Sequence, residues 1–196
     1  LDFAKADTTK RTTASGQYAS IDGVSLALGE ENDLLIINKG ASFSGEIQGG
    51  DGVNGILLDS PEGGILGQTR NFLDLRVAQG AWTLIGKGDF GLGAEVLSGA
   101  KLFNRGSIAG DVDVFEGGTY GGHGEVRDLF VDGTLMVTEL LGAPHVKGEL
   151  TLSQSATLSY VVTAADQIPT LVVDGVAELW NASLNLVALP GSYSTN

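Results

Sequence analysis

One short phrase recurs along this chain, and it restricts the fold more than any other feature. Between residues 96 and 135 it appears three times: Val96-Leu-Ser-Gly-Ala-Lys-Leu102, Val112-Asp-Val-Phe-Glu-Gly-Gly-Thr-Tyr120 and Leu129-Phe-Val-Asp-Gly-Thr-Leu135. Each copy is an alternating apolar run, a turn carrying glycine, a small or polar residue, and a further apolar residue. The closing positions Leu102, Tyr120 and Leu135 are separated by 120 − 102 = 18 and 135 − 120 = 15 residues. Upstream, Leu35-Ile-Ile-Asn-Lys-Gly-Ala-Ser-Phe43 and Leu75-Arg-Val-Ala-Gln-Gly-Ala-Trp-Thr-Leu84 have the same form. Downstream, Leu150-Thr-Leu-Ser-Gln-Ser-Ala-Thr-Leu158 repeats it with Ser155 in the glycine place, 158 − 135 = 23 residues on. Phe43 to Leu84 spans 84 − 43 = 41 residues, room for two units, with the run Ile56-Leu-Leu58 in the unit between. A loose period of roughly 15–25 residues belongs to solenoids, in which each unit buries its apolar face only by stacking on its neighbours.

The runs are short and no segment sustains a 3.6-residue period, which predicts an all-β chain with little or no helix. Short runs on a solenoid period predict a single-stranded parallel β-helix with coils about 4.8 Å apart. Equivalent apolar positions then stack as interior ladders. Leu102, Tyr120, Leu135 and Leu158 are predicted to form one, and Val114, Val131 and Leu152 another. Val114 is placed inward, between the strands around Val96 and Val131. Glycine, 30 of 196 residues and about twice ordinary usage, suits corners that need positive φ and close coil approach. An antiparallel sandwich also uses short strands and glycine turns, but the recurring phrase favours the solenoid.

Taken in order, the chain divides into a polar start or incomplete first coil (1–20), a β-helical stem (21–140), and C-terminal coils that form a cap (141–196). The stretch 45–67 is glycine-interrupted and reads as loops. Breaks are expected at 142–144 and 164–169. Three strands close the chain: 171–173, 177–180 and 183–187. Trp180, Leu184 and Leu186 are expected to bury apolar surface in that last coil, while the tail 187–193 covers its open strand edge.

Charge narrows the partners. Lys and Arg number 11 and Asp and Glu 24, for a net charge of −13. That balance disfavours nucleic acid and anionic membranes, which need basic patches. With no cysteine, disulfides, thiolate nucleophiles and Cys-ligated zinc are excluded, which suits a chain crossing an oxidising periplasm unfolded. No run reaches the roughly 18 apolar residues of a membrane span. No signal peptide is recognisable, so any targeting segment is expected outside these 196 residues.

Motifs with catalytic or ligand-binding associations read more simply as turns. Gly86-Lys-Gly-Asp-Phe-Gly91 matches G-x-G-x-x-G after a strand, but residues 94–97 are too short for the helix a dinucleotide needs. The embedded Asp89-Phe-Gly91 lacks a kinase catalytic loop, and Lys87-Gly-Asp89 is only a three-residue likeness to an integrin-type tripeptide. Gly49-Gly-Asp-Gly-Val-Asn54 approaches the calcium nonapeptide, and Gly121-Gly-His-Gly-Glu125 approaches it less well. Neither occurs in the tandem that such calcium sites require. His123 and His145 have no metal-ligand spacing, and no G-x-S-x-G is present. The carboxylates lie mostly beside glycine or asparagine, as turn residues do, and a glycosidase-like pair is a matter of three dimensions. Asn181-Ala-Ser183 is a glycosylation sequon by pattern and reads as a strand edge. The residues therefore predict no catalytic site, no cofactor and no metal.

Gly80-Ala-Trp-Thr-Leu84, Val112-Asp-Val-Phe-Glu-Gly-Gly-Thr119 and the closing Leu186-Val-Ala-Leu-Pro-Gly-Ser-Tyr193 resemble the C-terminal passenger region of bacterial autotransporters, the type V secretion family. The likeness covers most of the chain from about residue 34. It implies a right-handed parallel β-helical stem whose last coils act as an autochaperone, promoting passenger folding and surface display. The implied partners are an outer-membrane β-barrel and an upstream passenger, neither of which lies within this chain. The implied location is the cell surface or the medium, reached through periplasm and outer membrane. The rival function is an adhesin that binds a host or surface ligand through exposed loops. A polysaccharide-processing β-helix enzyme is the third reading.

Overall fold

A computed structural model describes residues 10–163 and 169–191. Among them every regular element is a strand, and the strands of successive coils pair in parallel as a β-solenoid. The cause is the phrase itself: an apolar run too short for a helix, then a turn that returns the chain one coil further on.

Three faces organise the stack. The first has nine strands: Lys10–Ala14, Asp33–Ile37, Gly55–Asp59, Asp74–Gln79, Gly93–Val96, Val112–Val114, Leu129–Val131, Leu150–Leu152 and Ala177–Leu179. The second has seven: Gly64–Leu66, Ala81–Leu84, Lys101–Asn104, Thr119–Gly121, Thr134–Thr138, Thr157–Val162 and Ser183–Ala188. The third has five, two residues each, from Lys87–Gly88 to Val172–Val173. Smaller two- and three-stranded sheets serve the N-terminal coils. Eight steps of about 4.8 Å make the first face a stack of roughly 38 Å.

The ladders expected from the phrase are present. Leu102 registers with Tyr120, Tyr120 with Leu135 and Leu135 with Leu158, all from the second face. Val96, Val114, Val131 and Leu152 register in sequence on the first face. Val114 and Val131 are buried in the core between them. One alignment shifts: Trp82, not Leu84, pairs with Leu102, and Leu84 faces Asn104. The strand Ala81–Leu84 places two alternate residues inward, so counting to the last apolar residue overshoots by one inward position. Phe43 belongs to a separate short sheet, paired with Tyr18 and stacked on its ring at 4.8 Å.

The stretch 45–67, expected to be loops, is a regular coil instead. Glu46–Gln48 pairs in the three-stranded N-terminal sheet, Gly55–Asp59 continues the first face and Gly64–Leu66 opens the second. Its glycines are corner residues rather than breaks. Gly63 has φ +71°, and a Cβ there would overlap the backbone of Ala81 in the next coil. At the start, Lys10–Ala14 pairs with Asp33–Ile37 as a first coil, and residues 1–9 lie outside the described residues. The sheets cross the 140/141 boundary without interruption, since Leu129–Val131 pairs with Leu150–Leu152 and Thr134–Thr138 with Thr157–Val162. Most of the expected break at 164–169 lies outside the described residues.

The expectation for the last coil is corrected. Trp180, Leu184 and Leu186 are not buried; they are 59%, 68% and 65% exposed. Their strands continue the sheets in register, Leu184 on Leu158 and Leu186 on Tyr160. Inward side chains of a solenoid are covered from both neighbouring coils, and among the described residues this rung has a neighbour on one side only. The tail does not fold over the edge in its described part: Leu189 N–H donates to the Val162 carbonyl, so residue 189 extends the strand along the previous coil. Residues 192 and 193 of that tail lie outside the described residues.

Candidate functional site: the open C-terminal rung

The closing coil differs from all others in what it presents. Eight of the fifteen exposed large apolar residues among the described residues fall between 172 and 189. They include Leu179, which ends the Val96–Leu152 ladder on the first face, and Leu184, which ends the Leu102–Leu158 ladder on the second. The rung is thus the cut face of two core ladders. Among the described residues no further strand pairs with the last strand of each sheet.

Charge is scarce there. Between residues 169 and 191 only Asp174 and Glu178 are charged, and both are engaged. Trp180 Nε1 donates to Glu178 Oε2 at 2.9 Å. The imidazole of His145 lies with Nε2 2.9 Å from Asp174 Oδ1 and Nδ1 3.7 Å from Glu125 Oε1. Lys147 Nζ approaches Glu125 at 3.2 Å and Asp174 at 3.9 Å. The hydrogen bond from His145 holds the Asp174 carboxyl below the usual carboxylate range. This network crosses three successive coils on the third face and ties the last rung to the stack. His145 pairs in register with Glu125 below it and Val172 above. Spacing along the sequence hid it, because its members are a coil apart rather than three or four residues apart.

Pairing is also longest at this end. The strands Thr157–Val162 and Ser183–Ala188 share six consecutive registered pairs, and Thr134–Thr138 shares five with Thr157–Val162. The corresponding pair Lys101–Asn104 and Thr119–Gly121 shares three.

The remaining motifs resolve into backbone structure. Gly86–Gly91 is a corner containing the strand Lys87–Gly88, followed by a turn and not a helix. At 49–54 the side chain of Asn54 holds the corner: Nδ2 donates to the carbonyls of Asp51 and Asn71, and Oδ1 accepts from Asp33 N–H. Asn181, the sequon residue, has φ +56° in the turn before the last strand. No cluster of three or more His, Cys, Asp or Glu side chains able to hold a metal occurs among the described residues.

One buried polar pair escaped the sequence reading. Asn104 sits in the Leu66–Leu84 ladder, yet its Nδ2 donates to the Tyr120 hydroxyl and the Glu125 carbonyl, both at 3.0 Å. Its Oδ1 accepts from Gly106 N–H. Burial pushes the Tyr120 hydroxyl well above its ordinary pKa, with the Asn104 hydrogen bond acting in the opposite direction. The pair is a structural clasp between strand and corner. An asparagine just before a glycine turn was its one legible signal. In comparisons with protein-family models, curated proteins and solved structures, nothing matches this chain.

Proposed function

We propose that this chain is the stem and autochaperone segment of an autotransporter passenger, a rigid solenoid whose C-terminal coils fold first and template the rest. The single observation that carries the proposal is the six-pair register between Thr157–Val162 and Ser183–Ala188. A one-dimensional array needs one pair of coils stable enough to start, after which each coil adds to a formed neighbour. The longest pairing lies at the end that, by the family resemblance, emerges first from the outer membrane. The partners are then the β-barrel and the upstream passenger, and the location is the cell surface or the medium.

The exposure of Leu184 gives this reading a clean test. Leu184→Asp in the full-length protein is expected to change equilibrium stability by less than about 1 kcal/mol, as at most exposed positions. It is nevertheless expected to slow nucleation, leaving the barrel inserted and the passenger protease-sensitive and poorly displayed. Protease-resistant passenger at the normal surface level would sink the autochaperone reading. The adhesin reading rests on a different observation, an apolar groove of about 410 Å³ lined by Thr138, Glu139, Leu140, Val161, Thr163 and Leu189. Loss of surface or host-cell binding in Leu140→Asp, with display intact, would favour it.

A further inference from the structure

We infer that Asn54–Gly55 is a covalent checkpoint on folding: the Asn54 amide is lost by deamidation while the chain waits unfolded, and the native corner stops the loss. The reaction needs no partner except water. The backbone nitrogen of Gly55 gives up its proton and attacks Cγ of Asn54. The new C–N bond closes a succinimide ring, the Cγ–Nδ2 bond breaks, and Nδ2 takes up a proton and leaves as ammonia. Water then opens the ring at either carbonyl and leaves aspartate or isoaspartate at position 54. Ring closure is fastest where the following residue has no side chain, and Asn54 is the only asparagine in the chain followed by glycine. The checkpoint operates in any chain that waits unfolded, whether or not it is an autotransporter passenger.

The fold withdraws what the reaction requires. Asn54 is fully buried. Its Nδ2 donates to the carbonyls of Asp51 at 2.9 Å and Asn71 at 3.0 Å, and its Oδ1 accepts from Asp33 N–H at 2.8 Å. The amide is thus fixed to the coil below and the coil above. Gly55, which supplies the nucleophile, is a buried strand residue registered with Leu34 on one side and Asp74 on the other. Backbone N–H groups inside a parallel sheet are committed to neighbouring strands. Turning Cγ toward that nitrogen breaks the side-chain bonds in a corner that solvent does not reach. The products also misfit. A carboxylate only accepts hydrogen bonds, so aspartate sets its oxygens against the Asp51 and Asn71 carbonyls that the amide serves. The same corner already holds the Asp33 carboxylate, whose oxygens have no hydrogen-bond partner. Isoaspartate adds a main-chain carbon before Gly55 and shifts it out of register with Leu34 and Asp74. In a stack held together by nearest neighbours, damage at this corner reaches both adjoining coils.

Peptide mapping by mass spectrometry tests this on the full chain, aged in denaturant and in native buffer at one pH and temperature. The tryptic peptide 40–70 contains a single asparagine, Asn54. In denaturant its amide is expected to be lost well ahead of that of Asn104, which precedes Arg105. In native buffer the loss is expected to be slower by about a thousandfold or more, because only the globally opened fraction of a marginally stable domain reacts. Equal rates in the two conditions, or no preference for position 54 in denaturant, would overturn the proposal. A partly aged sample is then returned to native buffer and treated with protease. Modified peptide is expected in the digested fraction and not in the resistant one, and an even distribution would also overturn it. Asn54→Asp, made directly, needs no refolding step. Its thermal midpoint is expected to fall by about 10 °C or more, and an unchanged midpoint would show that the aspartate product is tolerated and the checkpoint absent. None of these readouts depends on export or display, so their failure leaves the folding-seed reading standing.

Discussion

Val114 and Leu179 occupy the same ladder, three registered steps apart, yet they live in different environments. Val114 has Val96 below and Val131 above and is buried. Leu179 has Leu152 below and no described residue stacked above, and is 60% exposed. The local sequence and backbone are alike; the number of neighbouring coils is not. In a solenoid, burial is therefore a property of position in the stack before it is a property of the residue. Central coils are held by neighbours on both sides, and the last rung is held by strand length and by the His145 network.

Substitutions along a shared ladder would break this comparison if it is wrong. The largest effect is expected at Val114→Asp, which puts an unpaired charge between two coils at a cost of about 3–5 kcal/mol. Leu179→Asp on the same ladder is expected to cost less than about 1 kcal/mol. Equal losses in denaturant unfolding would show that the last rung is as covered as the centre. Next, Leu135→Ala is expected to cost about 2–5 kcal/mol through a cavity between Tyr120 and Leu158. Leu184→Ala, one coil beyond Leu158, should stay within about 1 kcal/mol.

Two smaller effects sharpen the contrast between buried polar groups that are partnered and one that is not. Asp33 is fully buried, and neither carboxylate oxygen has a hydrogen-bond partner. Replacing it by the isosteric amide in Asp33→Asn is expected to raise stability by about 1–2 kcal/mol, because an uncompensated group is costly inside a protein. A lower thermal midpoint for this variant would mean the carboxylate has a partner in solution. Tyr120→Phe takes the hydroxyl away from Asn104 and is expected to cost about 1 kcal/mol near neutral pH. Its signature lies in alkali. The folded chain keeps the Tyr120 proton after the unfolded chain loses it at about pH 10, so this contribution is fully present below that pH. It declines as pH rises toward the raised folded value. Thermal melts should fall more steeply above pH 10 for the parent chain than for the variant, and identical slopes would contradict the buried clasp.

Much of the fold was legible because the phrase is about backbone geometry. An apolar run, a glycine turn and another apolar residue state where a strand stops and which side faces in, and those signals placed Leu102, Tyr120, Leu135 and Leu158 correctly. They misled at 45–67, where glycine density suggested loops. Glycine marks a tight corner as readily as a disordered one, and only the flanking coils distinguish the two. They misled again at Trp180, Leu184 and Leu186, where hydrophobicity implied burial.

The sequence by itself determined an all-β parallel solenoid built without cysteine. Periodicity and composition are local sums that survive without coordinates. Only the tertiary structure decided that Glu125, His145, Lys147 and Asp174 meet, that Asn104 clasps Tyr120, and that the last rung is open. Each depends on which coil lies directly above which. Successive strands of one sheet lie 15 to 27 residues apart along the chain, and loops of varying length set the register, so no fixed spacing announces it.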